Sequence, residues 1–372
     1  MNIKVGILIP RSDIFPLFPQ QVVKGIKMGF EKMGLTPQYI IEDIGKAVLP
    51  DLVMGKANNL LMEEVDITFA WVGRKVTEDL KKLYTAAQKP LLLIGAGASV
   101  DTEDEMGLPP YVFSNSLDTW QSSSLLGKYV GQHYKGGMLN SVGFFECGYN
   151  FSALFSEGFE NDENKIVCMH ISKKMEDVDF TETFPKLMDE TNPQLITAFY
   201  SGIDAEKFYN LCVSTGLTKG LPVITLGFGS APYKNSDYPV ISAQCWGESF
   251  DNEANQTFVN DFVKKHKRSP YAYTMIAYET ALAAATVISK SADDDFDALT
   301  FCEALQKSET QGPRGVLTFD STTQKNNSFP TIISDGDKTI EMASYTAEEI
   351  KAFMDDFATR IQAGWFNPYP CA

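Results

Sequence analysis

Histidine is scarce in this 372-residue chain, with three residues in all (His133, His170, His266). The six cysteines (Cys147, Cys168, Cys212, Cys245, Cys302, Cys371) lie far apart, and none forms a CxxC pair. Tetrahedral metal sites and redox dithiols draw on closely spaced pairs of such residues, so neither is expected and the cysteines read as buried free thiols. Basic residues are in the minority too: 32 Lys plus Arg stand against 48 Asp plus Glu, a net charge of -16. That balance repels phosphate backbones and anionic headgroups, which removes nucleic acid and lipid surfaces from the expected partners. No apolar run approaches the ~20 residues that span a bilayer. No GxSxG or HExxH motif occurs, and the acidic pairs Glu63-Glu64 and Asp355-Asp356 fall in helical stretches as solvated faces. The first strand begins almost at Met1, with no basic and apolar leader before it. The chain is therefore expected to be cytosolic unless an export signal lies outside this sequence.

Short Val/Ile/Leu runs alternating with amphipathic helical stretches fill the chain. The run from Asn2 to Ile9 is followed by Val22, Ile26, Phe30 and Met33 at helical spacing. Further strands are expected at Pro37 to Glu42, Val65 to Val72, Pro90 to Ile94 and Tyr111 to Phe113, with helices between them. A second series runs from Ser141 to Glu146, Lys165 to His170, Gln194 to Tyr200, Leu221 to Leu226 and Pro239 to Gln244. Continuous apolar runs joined by helices indicate parallel strands covered on both faces. At 372 residues, two such cores are expected. The pattern predicts an α/β protein of two doubly wound parallel-sheet lobes: residues 1–115 with 249–320, and residues 116–248 with 321–372. Three crossings are expected between them, near Ser114 to Leu117, Trp246 to Phe250 and Phe319 to Thr322. A chain that crosses three times makes a hinge, and ligands are expected outside the carboxyl ends of the strands.

The order and spacing of several fragments resemble a known family. They are Ile3-Lys4-Val5-Gly6-Ile7-Leu8, Gln20 to Lys27, Val65-Asp66, Lys89-Pro90-Leu91-Leu92, Pro110-Tyr111-Val112-Phe113, Asp179-Phe180-Thr181, Asn192 to Ile196, and Gly312-Pro313-Arg314-Gly315 through Phe319-Asp320. Together they resemble the type I periplasmic solute-binding proteins of the branched-chain amino-acid branch, the receptors of ABC importers. The resemblance implies a small solute in an interlobe cleft, closure by hinge bending, and delivery to a membrane permease. It implies no catalysis and no cofactor, and a periplasmic or membrane-anchored extracellular location. A ligand-sensing domain of the same fold is the alternative, and an oxidoreductase is favoured only by a glycine-rich loop.

Departures from the family's pattern fall in the loops that would hold an amino acid. Hydroxyls expected for a carboxylate are mostly replaced in Trp71-Val72-Gly73-Arg74 and Gly95-Ala96-Gly97-Ala98-Ser99, and no acid for an amine follows Leu226, where the chain reads Gly227-Phe228-Gly229-Ser230. Arg74 opens a helix directly after a strand and could pair with a ligand carboxylate, or serve a surface or interlobe salt bridge. Gly97, Ala98 and Ser99 could line the cleft. As a dinucleotide turn they lack the third glycine and precede the acidic Asp101 to Glu105. Ser12 and Phe15 in the first strand-end loop, Tyr149 and Asn150, Tyr200 and Ser201, and Phe228 are further candidates. With Trp71, Trp120 and Trp246 they would give an aromatic-walled cleft, or else simply pack in the cores. These features favour a small carboxylate with an apolar or aromatic body, with an apolar amino acid as the alternative.

Overall fold

The computed structural model describes residues 3–98, 107–143, 150–172, 179–227, 239–291 and 295–360, with Arg74, Lys75, Asn150, Met354 and residues 356–360 described by their backbone only. Ser99, Tyr149 and Phe228 lie outside the described residues. The first lobe opens with β1 (Lys4–Ile9), α1 (Phe18–Lys32), β2 (Gln38–Asp43), α2 (Pro50–Met62), β3 (Ile67–Ala70), α3 (Arg74–Ala87), β4 (Leu91–Gly95) and β5 (Val112–Ser116). These strands form one parallel sheet in the order β2-β1-β3-β4-β5. Its central strands are apolar throughout because alternate residues serve opposite faces. Val5, Ile7 and Ile9 join one core, while Leu8, Ala70, Leu91 and Leu93 join another beneath α2 and α3.

The second lobe continues with α4 (Thr119–His133), β6 (Gly136–Gly143), α5 (Asn150–Phe159), β7 (Asn164–Ser172), a π-helical turn at Asp179–Thr183 leading into α6 (Phe184–Thr191), β8 (Leu195–Phe199), α7 (Gly202–Thr215), β9 (Val223–Leu226) and β10 (Val240–Gln244). The chain then returns to the first lobe for α8 (Glu253–His266), α9 (Ala272–Lys290), α10 (Ala298–Gln306) and the hairpin β11 (Thr310–Gly312) and β12 (Gly315–Leu317). The last described elements are β13 (Thr331–Asp335), β14 (Lys338–Met342) and α11 (Ala347–Arg360). The second sheet runs β14-β13-β10-β9-β8-β6-β7. It is parallel from β7 to β10, and the tail adds an antiparallel edge through β13 and β14.

Each lobe is built around one close helix pair. Gly25 of α1 faces α9 so closely that an added Cβ would lie 2.3 Å from the Thr274 carbonyl oxygen, and at Gly127 of α4 it would lie 2.1 Å from that of Phe155 in α5. Glycine there lets the two backbones meet and positions the strands above them.

Three segments join the lobes: β5 into α4, β10 into α8, and the stretch from β12 to β13. The last of these stays beside the first lobe longer than Phe319 to Thr322. Asn326 Nδ2 and Oδ1 bond the Ser116 backbone, Ser114 bridges to Lys325, and the second sheet is entered only at Thr331. The side-chain amide of Asn326, equivalent in shape to a peptide group, explains this extension of the pairing along β5.

Candidate functional site

In both sheets the strand order reverses at one point, and an open α/β sheet leaves a crevice there. In the first lobe the reversal falls between β1 and β3, so residues 10–17 and 71–73 edge the crevice. In the second it falls between β6 and β8, bringing in Tyr200 and Ser201. The two crevices face each other. The Ile203 N–H donates to the Ile14 carbonyl at 3.0 Å, a bond between the first loop of one lobe and the first turn of α7 in the other. Gly202, at φ +54°, makes this approach possible: a Cβ there would lie 2.0 Å from the Ile14 oxygen and 3.2 Å from Phe15 Cδ1.

The loop after β1 is built to hold that carbonyl in place. The buried Ser12 hydroxyl oxygen accepts the Phe15 N–H at 3.0 Å, closing a short local turn. The Phe15 ring packs edge-on against Tyr273 at 5.5 Å and Tyr271 at 6.4 Å. These two tyrosines, stacked on each other at 5.0 Å, open α9, and Tyr271 is 36% exposed. Their role was not foreseen, although Tyr271-Ala272-Tyr273 at the head of an apolar helix is a legible signal. Trp71 directly follows β3 and is buried, with Phe18 edge-on at 4.9 Å, so its indole belongs to the core under the loop.

Gly73 is the N-cap of α3 and supplies no side-chain cap, so the first turn of that helix points its positive end from the crevice edge, with Arg74 as its first residue. Ala96 and Gly97 turn elsewhere. The Ala96 carbonyl accepts the N–H and hydroxyl of Thr119, the Gly97 carbonyl accepts the Trp120 N–H at 2.9 Å, and Ala98 is buried beside them. This loop therefore braces the first turn of α4.

In the second lobe Asn150 opens α5 and Ser201 is the buried N-cap of α7. Tyr200 is 2% exposed, and its hydroxyl pairs with Ser141 Oγ at 2.7 Å, which in turn meets His170 Nδ1 at 2.9 Å. With Phe180 and Phe208 around the ring, Tyr200 sits in that lobe's core. His170 Nε2 faces the Asp179 carbonyl at 3.1 Å, and burial pushes the imidazole below its usual range, so the residue reads as a structural link between Ser141 and Asp179. Trp120 is covered by the tail, stacked with Tyr345 at 6.0 Å and Phe353 at 5.6 Å. Trp246 packs on Phe258 and donates its indole N–H to Asn255 Oδ1 at 2.7 Å, inside the second crossing.

One acid not singled out in the sequence stands at the crevice edge. Asp204, half-buried in the first turn of α7, has its carboxyl pushed above the ordinary range by desolvation, against the opposing pull of Lys207. Its signal was an Asp two residues beyond the Ser201-Gly202 turn. No group of His, Cys, Asp and Glu able to hold a metal ion occurs among the described residues.

Two parallel-sheet lobes with opposed crevices and three connecting segments define a two-lobed solute receptor. The chain belongs to the periplasmic binding protein family, whose model matches residues 2–331. Among solved structures it is similar to a solute-binding protein of an ABC transporter from R. palustris in complex with benzoate, with 17% identity, 94% of this chain and 99% of that one covered and a TM-score of 0.75. It is also similar to a solute-binding protein from Rhodopseudomonas palustris BisB5 in complex with 3,4-dihydroxybenzoic acid, with 20% identity, coverage of 93% and 98% and a TM-score of 0.74. A third is the branched-chain amino-acid transporter substrate-binding protein from Streptococcus pneumoniae in complex with isoleucine, with 13% identity, coverage of 92% and 100% and a TM-score of 0.69. No curated protein sequence matches at a significant level. The family is one of periplasmic binding proteins, not enzymes, and implies an extracytoplasmic location.

Proposed function

We propose that the protein is the extracytoplasmic receptor of an ABC importer for a small carboxylate with an aromatic body, of the benzoate type. The observation that carries this reading is the meeting of the two crevices, with the uncapped N-terminus of α3 and Arg74 on one side and the first turn of α7 on the other. A carboxylate is favoured at a helix N-terminus and beside a guanidinium, and the exposed Tyr271 supplies an aromatic edge. The benzoate and dihydroxybenzoate complexes of similar structures support this ligand class. Membrane anchoring and the delivering permease follow from the same reading.

An apolar amino acid is the second reading, and Asp204 favours it because a half-buried acid at the crevice edge can receive an amine. A thermal-shift panel of benzoate, 4-hydroxybenzoate, leucine and isoleucine separates the two. A ligand at a hundredfold excess over Kd adds about 2.7 kcal/mol to stability. Stabilisation by the benzoates, reduced in Arg74→Ala, is the expected result. Stabilisation by leucine or isoleucine alone, lost in Asp204→Asn, would replace this reading with the second.

A further inference from the structure

The Gly312-Pro313-Arg314-Gly315 turn carries a side chain that no role described so far uses. Arg314 lies between β11 and β12 with its side chain 1% exposed, paired with Glu279 of α9 at 0%. Its Nε and Nη2 donate to Glu279 Oε2 at 3.1 and 2.6 Å, and Nη2 also donates to Asn115 Oδ1 at 2.8 Å. Asn115 Nδ2 in turn donates to Glu279 Oε2 at 3.2 Å and to the Thr280 hydroxyl at 2.9 Å. Taking two charges out of water is costly, and such a pair survives only when its remaining donors and acceptors are satisfied. The way they are satisfied is what gives the cluster a role.

Each of the three interlobe segments brings a group close to this guanidinium. From the first segment, the Ser116 carbonyl accepts Nη1 at 2.8 Å. From the second, the buried Cys245, directly after β10, lies within the electrostatic reach of the guanidinium, whose charge opposes the upward push of burial on the thiol. From the third, the Phe329 ring lies 4.2 Å beneath the guanidinium carbon, a cation–π arrangement. Ser116 and Asn326 tie the first segment to the third a second time. Asp118, in the left-handed region at φ +46°, follows at once with its N–H bonded to Ser116 Oγ.

We propose that Arg314 is the positioning residue of the hinge: it ties the three interlobe segments to one rigid point on the first lobe, so that bending is confined to the stretches that follow these anchors into the second lobe. Arg314 touches no ligand in this scheme. It acts on binding by fixing the axis along which the two crevices meet, and it does so whatever solute the cleft takes. The inference rests on the two-lobed receptor reading but not on the ligand class.

The test is made on the ligand-free protein, so its failure is separable from a wrong choice of ligand. Two variants are compared with the parent by amide hydrogen exchange and small-angle scattering. Arg314→Lys keeps the charge but cannot fork, and the double variant R314M/E279L removes both buried charges and keeps an apolar fill. The expected result is folded protein in which peptides covering 112–118 and 324–330 exchange at least tenfold faster, relative to the cores around β1 and β8. The scattering radius of the ligand-free form is expected to broaden. Uniformly faster exchange throughout both lobes, or unchanged exchange in those two peptides of a folded variant, would overturn the proposal and leave an ordinary core ion pair.

Discussion

Replacing Gly202 by alanine would test the meeting of the two lobes, because the added methyl acts twice and the two effects can be separated. The first effect is conformational. At φ +54° an L side chain costs about 1–2 kcal/mol, whichever way the lobes are arranged. The second exists only when the lobes meet. A Cβ 2.0 Å from the Ile14 oxygen must retreat by more than 1 Å, on the order of the gap to ordinary contact at ~3.5 Å. That retreat stretches the 3.0 Å bond from Ile203 N–H to Ile14 beyond hydrogen-bonding range. Losing it removes about 1 kcal/mol from the closed form alone, roughly a fivefold shift in the closing equilibrium.

Asparagine, which tolerates the left-handed region, keeps the clash while sparing most of the conformational cost. The expected outcome is therefore a lower melting temperature for Gly202→Ala than for Gly202→Asn in the ligand-free protein, with both showing the same weakening, about fivefold or more, in titrations with 4-hydroxybenzoate or whichever solute the thermal panel selects. A variant that melts early yet binds with unchanged affinity would refute the argument, since it would mean that the closed, liganded form does not use this bond.

Adding a methyl at the close helix crossings, Gly25→Ala or Gly127→Ala, should destabilise by about 1–3 kcal/mol and lower the melting temperature by several degrees, because the neighbouring atom is a backbone carbonyl that cannot rotate away. Tyr200→Phe should cost about 1 kcal/mol in urea titrations while leaving ligand affinity intact, since the hydroxyl serves Ser141 and the lobe core; a selective loss of affinity would instead put that ring in the cleft. Burial depresses the folded-state pKa of His170, so the unfolded chain takes up a proton first. Stability from this group is full above the unfolded value and falls as pH drops through it toward the folded value, so the urea midpoint should decline from about pH 7.5 to about pH 5, less steeply in His170→Asn. His266, also depressed by burial, contributes with the same sign and leaves a residual slope in that variant.

The alternation of apolar runs and helices was legible because strands covered on both faces have no polar face to hide, as Val5, Ile7 and Ile9 against Leu8 illustrate. Where the pattern misled, side chains had supplied what the backbone pattern lacked. β6 begins at Gly136, not Ser141, because Asn164 Oδ1 and Gln194 Oε1 accept the N–H groups of Gly136 and Gly137, and two glycines with such partners pair as a strand. The helix α10 went unforeseen although its signal is local: Asp297 accepts the Thr300 N–H at 2.7 Å as its N-cap. The aromatic candidates show the limit of reading sites from residue type. Trp120 is claimed by Tyr345 and Phe353, more than two hundred residues later in the chain, and nothing near position 120 encodes that partner. Among the described residues, the loops after β1, β3 and β8 follow strands that the apolar runs had marked, because strand order follows from topology while side-chain direction does not.

Glu279 shows how the hinge could have been found. It stands alone as a carboxylate in Tyr278-Glu279-Thr280-Ala281-Leu282-Ala283-Ala284-Ala285, a stretch too apolar to have a solvent face. A charge in such a helix must either be neutralised or meet a cation that is itself fully bonded. The chain holds few arginines near strand ends, and Gly312-Pro313-Arg314-Gly315 places one on a tight hairpin, where flexibility would waste it. Joining those two observations predicts a buried pair across 35 residues, which the structure contains. The physical consequence follows from the receptor's task. Two rigid lobes are useless unless they return to the same closed register each time, and three polypeptide connections left independent would allow twist as well as bend. In the proposal made above, a single planar cation that forks to Glu279 and Asn115, donates to Ser116 and stacks on Phe329 would limit twist while leaving the bend, which a compact ammonium with the same charge could not do.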